Sequence, residues 1–303
     1  MSKMTDFIKY FGENLPGLEL RCAQPMSKYT SFRIGGEAEL IALPKNEEEL
    51  SAILKKSKEL DIKPVILGAG TNVLAPDEGI KGLVICLKDA LNGMEQISEN
   101  GIRVMAGVTM SRAAVFAANL GLGGLEFAHG IPGTIGGGVY MNAGAYGGEI
   151  RDVCTRVRIM DMDGNARWIT NGEAAFSYRH SAIEDNPWIV VAAEFALTPK
   201  PVAEIKEKMQ ELINKRRASQ PLDLPSAGSA FKRPAGGYAA ALIDQTGLKG
   251  FRVGGAAVSE KHAGFVVNLG GATANDVKTL LKEVSDRVYE AQGIRLEPEV
   301  RIW

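Results

Sequence analysis

The chain has 303 residues, of which 45% are hydrophobic and 23% charged, so it is long enough for roughly two domains with substantial cores. Its 35 basic residues balance 36 acidic residues, and this near-neutral charge argues against a protein that holds nucleic acid or an anionic membrane through a general basic field. The three cysteines, Cys22, Cys86 and Cys154, form no CxxC pair, which argues against a zinc cluster or a disulfide framework. We expect a cytoplasmic protein without a signal peptide or a membrane span.

Helix and strand patterns alternate along the first half of the chain. Asn46 is a candidate N-cap for a helix whose apolar residues Leu50, Ile53 and Leu54 recur at helical spacing. Buried strands are predicted for PVIL, GLVICL and IRVMAGV, and a second helix for TMSRAAVFAANLGL. This alternation predicts a mixed α/β fold.

The middle of the chain contains a glycine-rich region, residues 121–148, that we expect to be dominated by loops. Asp163-Gly164 predicts a hairpin, and a strand (WIVVAAEFAL) and a helix (VAEIKEKMQELINKRRAS) follow it. Prolines near residue 219 indicate a domain boundary, beyond which Thr273 and Asp276 form a capping-box signature for a long helix. The terminal LEPEVRIW reads as a strand that places Glu297 and Glu299 on one face.

Glycine is unusually frequent, with 35 residues, and two clusters stand out. GAGTN at residues 68–72 follows a predicted strand directly, and a glycine turn there exposes backbone N–H groups suited to a pyrophosphate. HGIPGTIGGG at residues 129–138 offers a second such surface. The alternatives are a tight turn for the first cluster and close loop packing for the second; the pair together favours an anion or dinucleotide site.

Several standard signatures are absent: GxGxxG opening a helix, GxxxxGK[ST], HExxH and GxSxG. The histidines His129, His180 and His262 are scattered, so we expect no metal site. Arg179, Ser229 and Glu299 lie in loops or beside glycine and proline, and each of them taken alone is typical of an ordinary structural or surface residue.

Seven segments, in order along the chain, carry a resemblance to a known family: YTSFRIGGEAEL, LGAGTNVLAPDEGIKGLVI, GLEFAHGIPGTIGGGVYMNAGAYGGEI, FSYRHS, SAGSAFKRP, AALIDQTGLKGFRVGGAAVSEKHAGFVVN and LEPEVR. From about residue 29 to residue 301, the chain is similar to the bacterial UDP-N-acetylenolpyruvoylglucosamine reductases, in their compact subclass.

The resemblance implies a fold with an FAD-binding portion of the vanillyl-alcohol-oxidase type and a smaller α/β substrate domain. The FAD-binding portion would cover residues 1–218, in two lobes of about 1–88 and 89–218. Residues 219–297 would bind substrate, and residues 298–303 would form a C-terminal strand that closes the active site. The oligomeric state stays open.

The same resemblance implies the site. Non-covalent FAD would be held by residues of both glycine clusters, namely Leu67, Gly68, Ala69, Gly70, Thr71, Asn72, Val73, Leu74, Gly133, Thr134, Gly136 and Gly137, and Arg33 lies in the matching FRIGG segment. The substrate, UDP-N-acetylglucosamine-enolpyruvate, would be contacted by Arg217, Gly228 and Lys232.

The implied reaction is an NADPH-dependent reduction of an enol ether in peptidoglycan precursor synthesis. NADPH would reduce FAD, and flavin N5 would deliver hydride to C3 of the substrate. Arg179 and Glu299 would stabilise the negative charge that develops, with Arg179 paired to the substrate carboxylate, because preorganised polar groups are often the largest catalytic contribution. Ser229 would then protonate C2.

Two other functions stay open at this point. An FAD oxidase of the same fold, acting on an alcohol or hydroxy acid, is one, and relatives of that kind often attach flavin through a histidine or cysteine. His129 is the histidine within the glycine-rich loops. A non-catalytic nucleotide-binding protein that uses the same glycine loops is the other.

Overall fold

The computed structural model describes residues 2–303, which divide into two compact units that interleave along the chain. The first unit contains residues 2–22, Leu40–Ala69 and Gly82–Asn214. The second unit contains Ala23–Glu39, Gly70–Lys81 and Lys215–Trp303. One passage from the first unit to the second falls between Ala69 and Gly70, inside the first glycine cluster.

The helices of the described chain, in order, are α1 (Lys3–Asn14), α2 (Glu47–Glu59), α3 (Met110–Asn119), α4 (Ile135–Tyr140), α5 (Asn171–Ala174), α6 (Ala182–Asp185), α7 (Val202–Ser219), α8 (Ala239–Gln245) and α9 (Ala274–Gln292). Within residues 2–303, no helix is long and apolar enough to cross a membrane.

The strands, in order, are β1 (Glu19–Pro25), β2 (Glu37–Leu43), β3 (Val65–Leu67), β4 (Val73–Leu74), β5 (Ile80–Cys86), β6 (Met94–Ser98), β7 (Gly101–Met105), β8 (Leu122–Gly123), β9 (Gly144–Ala145), β10 (Gly148–Glu149), β11 (Cys154–Asp161), β12 (Ala166–Thr170), β13 (Trp188–Ala196), β14 (Thr198–Pro199), β15 (Ser226–Ser229), β16 (Arg252–Val253), β17 (Ala256–Val258), β18 (Phe265–Asn268) and β19 (Arg301–Ile302).

These strands form three larger sheets. One has the order β1-β2-β5-β3, with β3 and β5 parallel, and another is an antiparallel sheet with the order β12-β11-β13-β7-β6. The third, β15-β18-β17-β16, is antiparallel and lies in the second unit. Helices and strands alternate through both units, so the predicted mixed α/β fold is confirmed.

Local sequence signals explain where several elements begin. Asn46 caps α2, because its side-chain oxygen accepts from the amide of Glu49 at 2.8 Å. Thr273 and Asp276 form the predicted capping box at the start of α9. Gly164, with φ +78°, lies in the turn between β11 and β12 and completes the predicted hairpin.

Each unit buries its own apolar core. In the first, Leu50, Ile53 and Leu54 on one face of α2 are fully buried in a cluster with Leu83 and Ile85 of β5. In the second, buried leucines and valines of α9 cluster with strands β15, β17 and β18. Burying one such aliphatic side chain stabilises the fold by about 1.5–3 kcal/mol.

One expectation about local structure needs an addition, and one is wrong. Most of residues 121–148 lie outside regular helices and strands, as predicted, but the region also contains helix α4 and the short strands β8, β9 and β10. The C-terminal strand covers only Arg301–Ile302, and Glu297 and Glu299 lie outside it. Pro298, between these glutamates, instead forms an isolated antiparallel bridge with Phe231.

Candidate functional site

In the first unit, the structure brings the beginning of the first glycine cluster against the second cluster. Strand β3 ends at the buried Leu67, and Gly68 and Ala69 follow it, both half-buried. A Cβ built on Gly68 would lie 2.8 Å from Oγ1 of Thr134, which is too close for a real side chain. Glycine at position 68 therefore allows the two turns to meet.

The second glycine cluster is organised around the start of α4. Thr134 is buried and caps this helix, since its Oγ1 accepts from the amide of Gly137 at 3.3 Å. The amide of Gly136 donates to the carbonyl of Ala106 at 2.9 Å. The amides of Gly136 and Gly137, which were expected to be open to a ligand, therefore already have acceptors within the protein.

Different constraints favour glycine at the individual positions of this cluster. Gly133 has φ +141°, a conformation that other residues rarely adopt. A Cβ on the buried Gly136 would lie 2.9 Å from Cβ of Ala106, so packing excludes a larger residue. Gly137 is exposed, and the nearest atom to its Cβ position is Oγ1 of Thr134 at 3.7 Å. Protein packing therefore does not explain glycine at position 137.

The rest of the first cluster belongs to the second unit. Gly70 is buried with φ +65°, and a Cβ there would overlap the carbonyl oxygen of Tyr29. Thr71 and Asn72 are half-buried, and Val73 and Leu74 form β4, which pairs in parallel with β19. The expected cofactor segment is thus divided between the units after Ala69.

Ser229 and Glu299 come close together through their backbones in the second unit. Ser229 is exposed at the end of β15, after Gly228, which has φ +76°. The amide of Glu299 donates to the carbonyl of Ala230 at 2.9 Å, and Nδ2 of Asn72 donates to the carbonyl of Glu299 at 3.1 Å. The half-buried Glu299 therefore lies between the serine strand and the glycine segment.

The basic residues predicted to bind substrate have different surroundings. The ammonium group of Lys232 forms an ion pair with the carboxylate of Glu297, and its amide donates to the Glu297 carbonyl at 2.9 Å. Arg217 is exposed in the last turn of α7. Arg33, also exposed, has φ +56°. The pairing of Lys232 with Glu297 was not predicted, because it depends on two segments far apart in sequence.

Arg179 lies in the first unit, in a tight turn of the FSYRHS segment. Ser177 and His180 exchange backbone hydrogen bonds of 3.0 and 3.3 Å across this turn, and Arg179 has φ +55°. Nη2 of Arg179 donates to the carbonyl of Gly144 at 3.2 Å. The guanidinium also lies 5.2 Å from the centre of the Tyr178 ring. These contacts hold a half-buried cation at a defined position.

One polar residue beside this turn was missed. Asn142 has no exposed surface, and its amide donates to the carbonyl of Ser177 at 2.9 Å. The signal available in the sequence is an asparagine between Met141 and Ala143 in the glycine-rich region, and composition alone does not distinguish it from a loop residue.

The histidines have ordinary partners. Nδ1 of His129 lies 3.3 Å from Oγ of Ser111, and Nε2 of His180 lies 3.0 Å from Asp185. Burial lowers the pKa of His262. Over residues 2–303, no three histidine, cysteine, aspartate or glutamate side chains are grouped as a metal ion would require.

Comparison with known proteins identifies the family. Residues 220–303 match the family model described as UDP-N-acetylenolpyruvoylglucosamine reductase, C-terminal domain, and residues 38–170 match an FAD binding domain. The UDP-N-acetylenolpyruvoylglucosamine reductase of Agathobacter rectalis is 46% identical over 307 residues, covering 98% of each chain. That of Latilactobacillus sakei is 44% identical, covering 99% of this chain and 98% of the relative. This chain belongs to the UDP-N-acetylenolpyruvoylglucosamine reductase family.

A solved structure agrees with this assignment. The crystal structure of the reductase from Thermus caldophilus matches with a TM-score of 0.78 and 36% identity, covering 94% of this chain and 98% of that one. The chain is therefore an FAD-dependent oxidoreductase of a family that acts in peptidoglycan precursor synthesis, with an FAD-binding domain and a second, C-terminal domain. Membership of this family sets aside both the oxidase and the non-catalytic alternatives.

Proposed function

We propose that this reductase uses NADPH to convert UDP-N-acetylglucosamine-enolpyruvate into UDP-N-acetylmuramate. The observation that carries the proposal is the hydrogen bond from the amide of Glu299 to the carbonyl of Ala230. This bond holds the backbone of Glu299 next to the residue that follows the exposed Ser229. Two relatives that are named as this reductase, and that align with this chain over nearly their whole length, support the same reaction. Residues 1–218 would serve FAD and residues 219–297 the substrate.

The residues present fit FAD. Leu67 to Ala69 and Gly133 to Gly137 present backbone with few side chains, and the exposed Gly137 has room that no protein atom uses. We assign FAD contacts to these two turns and to Gly70, Thr71, Asn72, Val73 and Leu74. The chemistry that bound FAD supplies is transfer of a hydride from NADPH to the vinyl carbon C3.

The residues of the chain would manage the charge and the proton. Hydride arrival at C3 leaves negative charge on C2 and the neighbouring carboxylate, so a cation paired to that carboxylate lowers the barrier. Arg179 would supply this cation, with Glu299 as the second polar group. Ser229 would donate its hydroxyl proton to C2 and recover a proton from solvent. The carbon–carbon double bond then becomes a single bond with two new C–H bonds.

The uridine diphosphate would be bound by basic groups, which pair well with phosphate oxygens. Lys232 and Arg217 are the assigned residues, and Gly228 would allow close approach of the substrate. Because Lys232 is paired with Glu297, phosphate binding would require the ammonium group to be shared or released. Binding of this part of the substrate should therefore weaken as salt screens the phosphates.

The reaction is tested by NADPH consumption by the purified protein, measured with and without UDP-N-acetylglucosamine-enolpyruvate. The expected result is oxidation that depends on this substrate and yields UDP-N-acetylmuramate. NADPH oxidation that is independent of the enolpyruvate, in a protein that carries FAD, would overturn the proposal.

The proton donor is tested by Ser229→Ala, with Ser226→Ala on the same strand as the matched control. Stopped-flow absorbance under anaerobic conditions separates flavin reduction by NADPH from reoxidation by substrate. Ser229→Ala should leave the first step unchanged and slow the second on the order of 10²- to 10⁴-fold, which is the usual contribution of a general acid. Fast reoxidation in this variant would show that another group supplies the proton.

A further inference from the structure

We infer that Asn142 is a positioning residue for Arg179. The inference rests on the proposed function, in which Arg179 pairs with the substrate carboxylate. Asn142 is fully buried and has φ +46°, a left-handed conformation that asparagine tolerates better than most residues. A buried side-chain amide in such a conformation is retained only where its hydrogen bonds are satisfied.

Asn142 links its own segment to two others of the first unit, residues 149–151 and the turn that begins at Ser177. Its Nδ2 donates to Oε2 of Glu149 at 2.7 Å and to the carbonyl of Ser177 at 2.9 Å. Its Oδ1 accepts from the amide of Arg151 at 3.0 Å. Both donors and the acceptor oxygen of the amide are therefore in use, and one of these bonds reaches the turn that carries Arg179.

The Arg179 turn is held at both ends by neighbouring residues of one segment. Ser177 is held by Asn142, and the fully buried Ser181 donates through Oγ to the carbonyl of Tyr140 at 2.6 Å. The guanidinium of Arg179 itself donates to the carbonyl of Gly144. Residues 140–144 thus form the support on which this cation rests.

The chemistry of the site favours asparagine at position 142. An aspartate would have no hydrogen to donate to the Ser177 carbonyl and would place a second carboxylate against Glu149. An aliphatic residue would leave the Ser177 carbonyl and the Arg151 amide without this partner. Either change loosens the turn without removing any atom of Arg179.

The test is Asn142→Asp, with Asn171→Asp as a matched control. Nδ2 of Asn171 donates to the carbonyls of Arg151 at 2.9 Å and Cys154 at 2.6 Å, so this amide also donates two hydrogen bonds, and neither of them reaches residues 176–181. A second variant, Asn142→Asp combined with Glu149→Gln, exchanges donor and acceptor. It restores a hydrogen bond between positions 142 and 149 and leaves the Ser177 bond broken, and a thermal unfolding midpoint close to that of the parent protein will verify that this variant is folded.

Two measurements are made on each holoenzyme. Hydrogen exchange followed by mass spectrometry reports the opening of residues 176–181, and anaerobic stopped-flow reports flavin reduction and reoxidation. Both Asn142 variants should exchange at least 10-fold faster over residues 176–181 and reoxidise with substrate at least 10-fold more slowly, with unchanged reduction by NADPH. The Asn171 variant should match the parent protein in both measurements.

The outcomes separate the two proposals. Unchanged exchange over residues 176–181 in the Asn142 variants, or equal effects of the Asn171 variant, would overturn the positioning role. Faster exchange in a protein whose parent form is not reoxidised by UDP-N-acetylglucosamine-enolpyruvate would support the tether and overturn the proposed function. Faster exchange with normal reoxidation would refute the link to Arg179.

Discussion

The exposed Gly137 gives the sharpest test of the cofactor turn. Gly70 is unsuitable, because a side chain there would collide with the Tyr29 carbonyl and disturb the fold whether or not FAD lies nearby. At Gly137 the Cβ position is open, since its nearest neighbour, Oγ1 of Thr134, is 3.7 Å away. Gly137→Ala should therefore be tolerated by the protein and opposed only by a bound ligand.

The substitution should stabilise the FAD-free protein and weaken the binding of FAD. Gly137 lies within α4, and alanine is more favourable than glycine in a helix by about 0.5–1 kcal/mol, so the FAD-free protein should be slightly more stable. If the flavin packs on this turn, the new methyl group must displace it or the turn, at a cost of about 1–3 kcal/mol. That cost corresponds to roughly a 5- to 150-fold loss of FAD affinity.

The assay combines thermal unfolding of the FAD-free protein with FAD titration followed by flavin fluorescence. Gly172→Ala is the matched control: this exposed glycine also lies in the first turn of a capped helix, and the nearest atom to its Cβ position is Oγ1 of Thr170 at 3.9 Å. The control should gain similar stability and bind FAD normally. Unchanged FAD affinity in Gly137→Ala would refute the assignment of this turn to the cofactor.

Two further predictions concern buried ionisable groups. Burial raises the pKa of Glu194, but hydrogen bonds from Arg103 and Arg156 outweigh this effect and hold the pKa below its usual value. The ionised carboxylate therefore stabilises the fold at pH values above its pKa in the unfolded chain. This stabilisation is lost as the pH falls through the lower pKa of the folded protein. Glu194→Gln should therefore lower the free energy of unfolding, measured by urea titration, by about 1–2 kcal/mol at pH 7 and by much less near pH 3. An equal loss of stability at both pH values would contradict this account. Burial raises the pKa of Cys154 to about 12 and also raises that of Cys86, whereas Cys22 is exposed. Mass spectrometry after brief iodoacetamide treatment at pH 8 should therefore show one alkylated thiol, at Cys22, in the native protein and all three after unfolding, and rapid native labelling of Cys154 would contradict the burial argument.

Features set by neighbouring residues could be predicted from the sequence. The cap at Asn46, the box at Thr273 and Asp276, and the turn at Gly164 each depend on a few consecutive residues, and the structure contains all of them. Helix α4 was not predicted, because Gly136 and Gly137 weaken the local preference for helix. Hydrogen bonds from Ile135 and Gly136 to the carbonyls of Val108 and Ala106 support the helix from a distant segment.

The wrong prediction of a single strand that includes Glu297 and Glu299 also has a long-range cause. Alternation in LEPEVRIW indicates one strand, but its two parts have different partners. Pro298 forms an antiparallel bridge with Phe231, whereas Arg301 and Ile302 pair with β4, more than two hundred residues earlier in the chain. The ion pair between Lys232 and Glu297 depends on the same long-range arrangement. The residue types pointed to Lys232 and the C-terminal glutamates as candidate site residues, but the residues that pair with them are known only from the tertiary structure.

In the second unit, the candidate residues are connected by backbone hydrogen bonds. The amide of Ser31 donates to the carbonyl of Gly70 at 2.9 Å, and its hydroxyl donates to the carbonyl of Ser226 at 2.5 Å, at the start of the strand that carries Ser229.

From that strand, the carbonyl of Ala230 accepts from Glu299, whose own carbonyl accepts from Asn72. Hydrogen bonds therefore link the glycine segment, the serine strand and the C-terminal segment to one another in a closed ring. Because hydrogen-bonded neighbours couple energetically, the effects of substitutions at Asn72 and Ser229 on the free energy of unfolding should be non-additive in a double-mutant cycle.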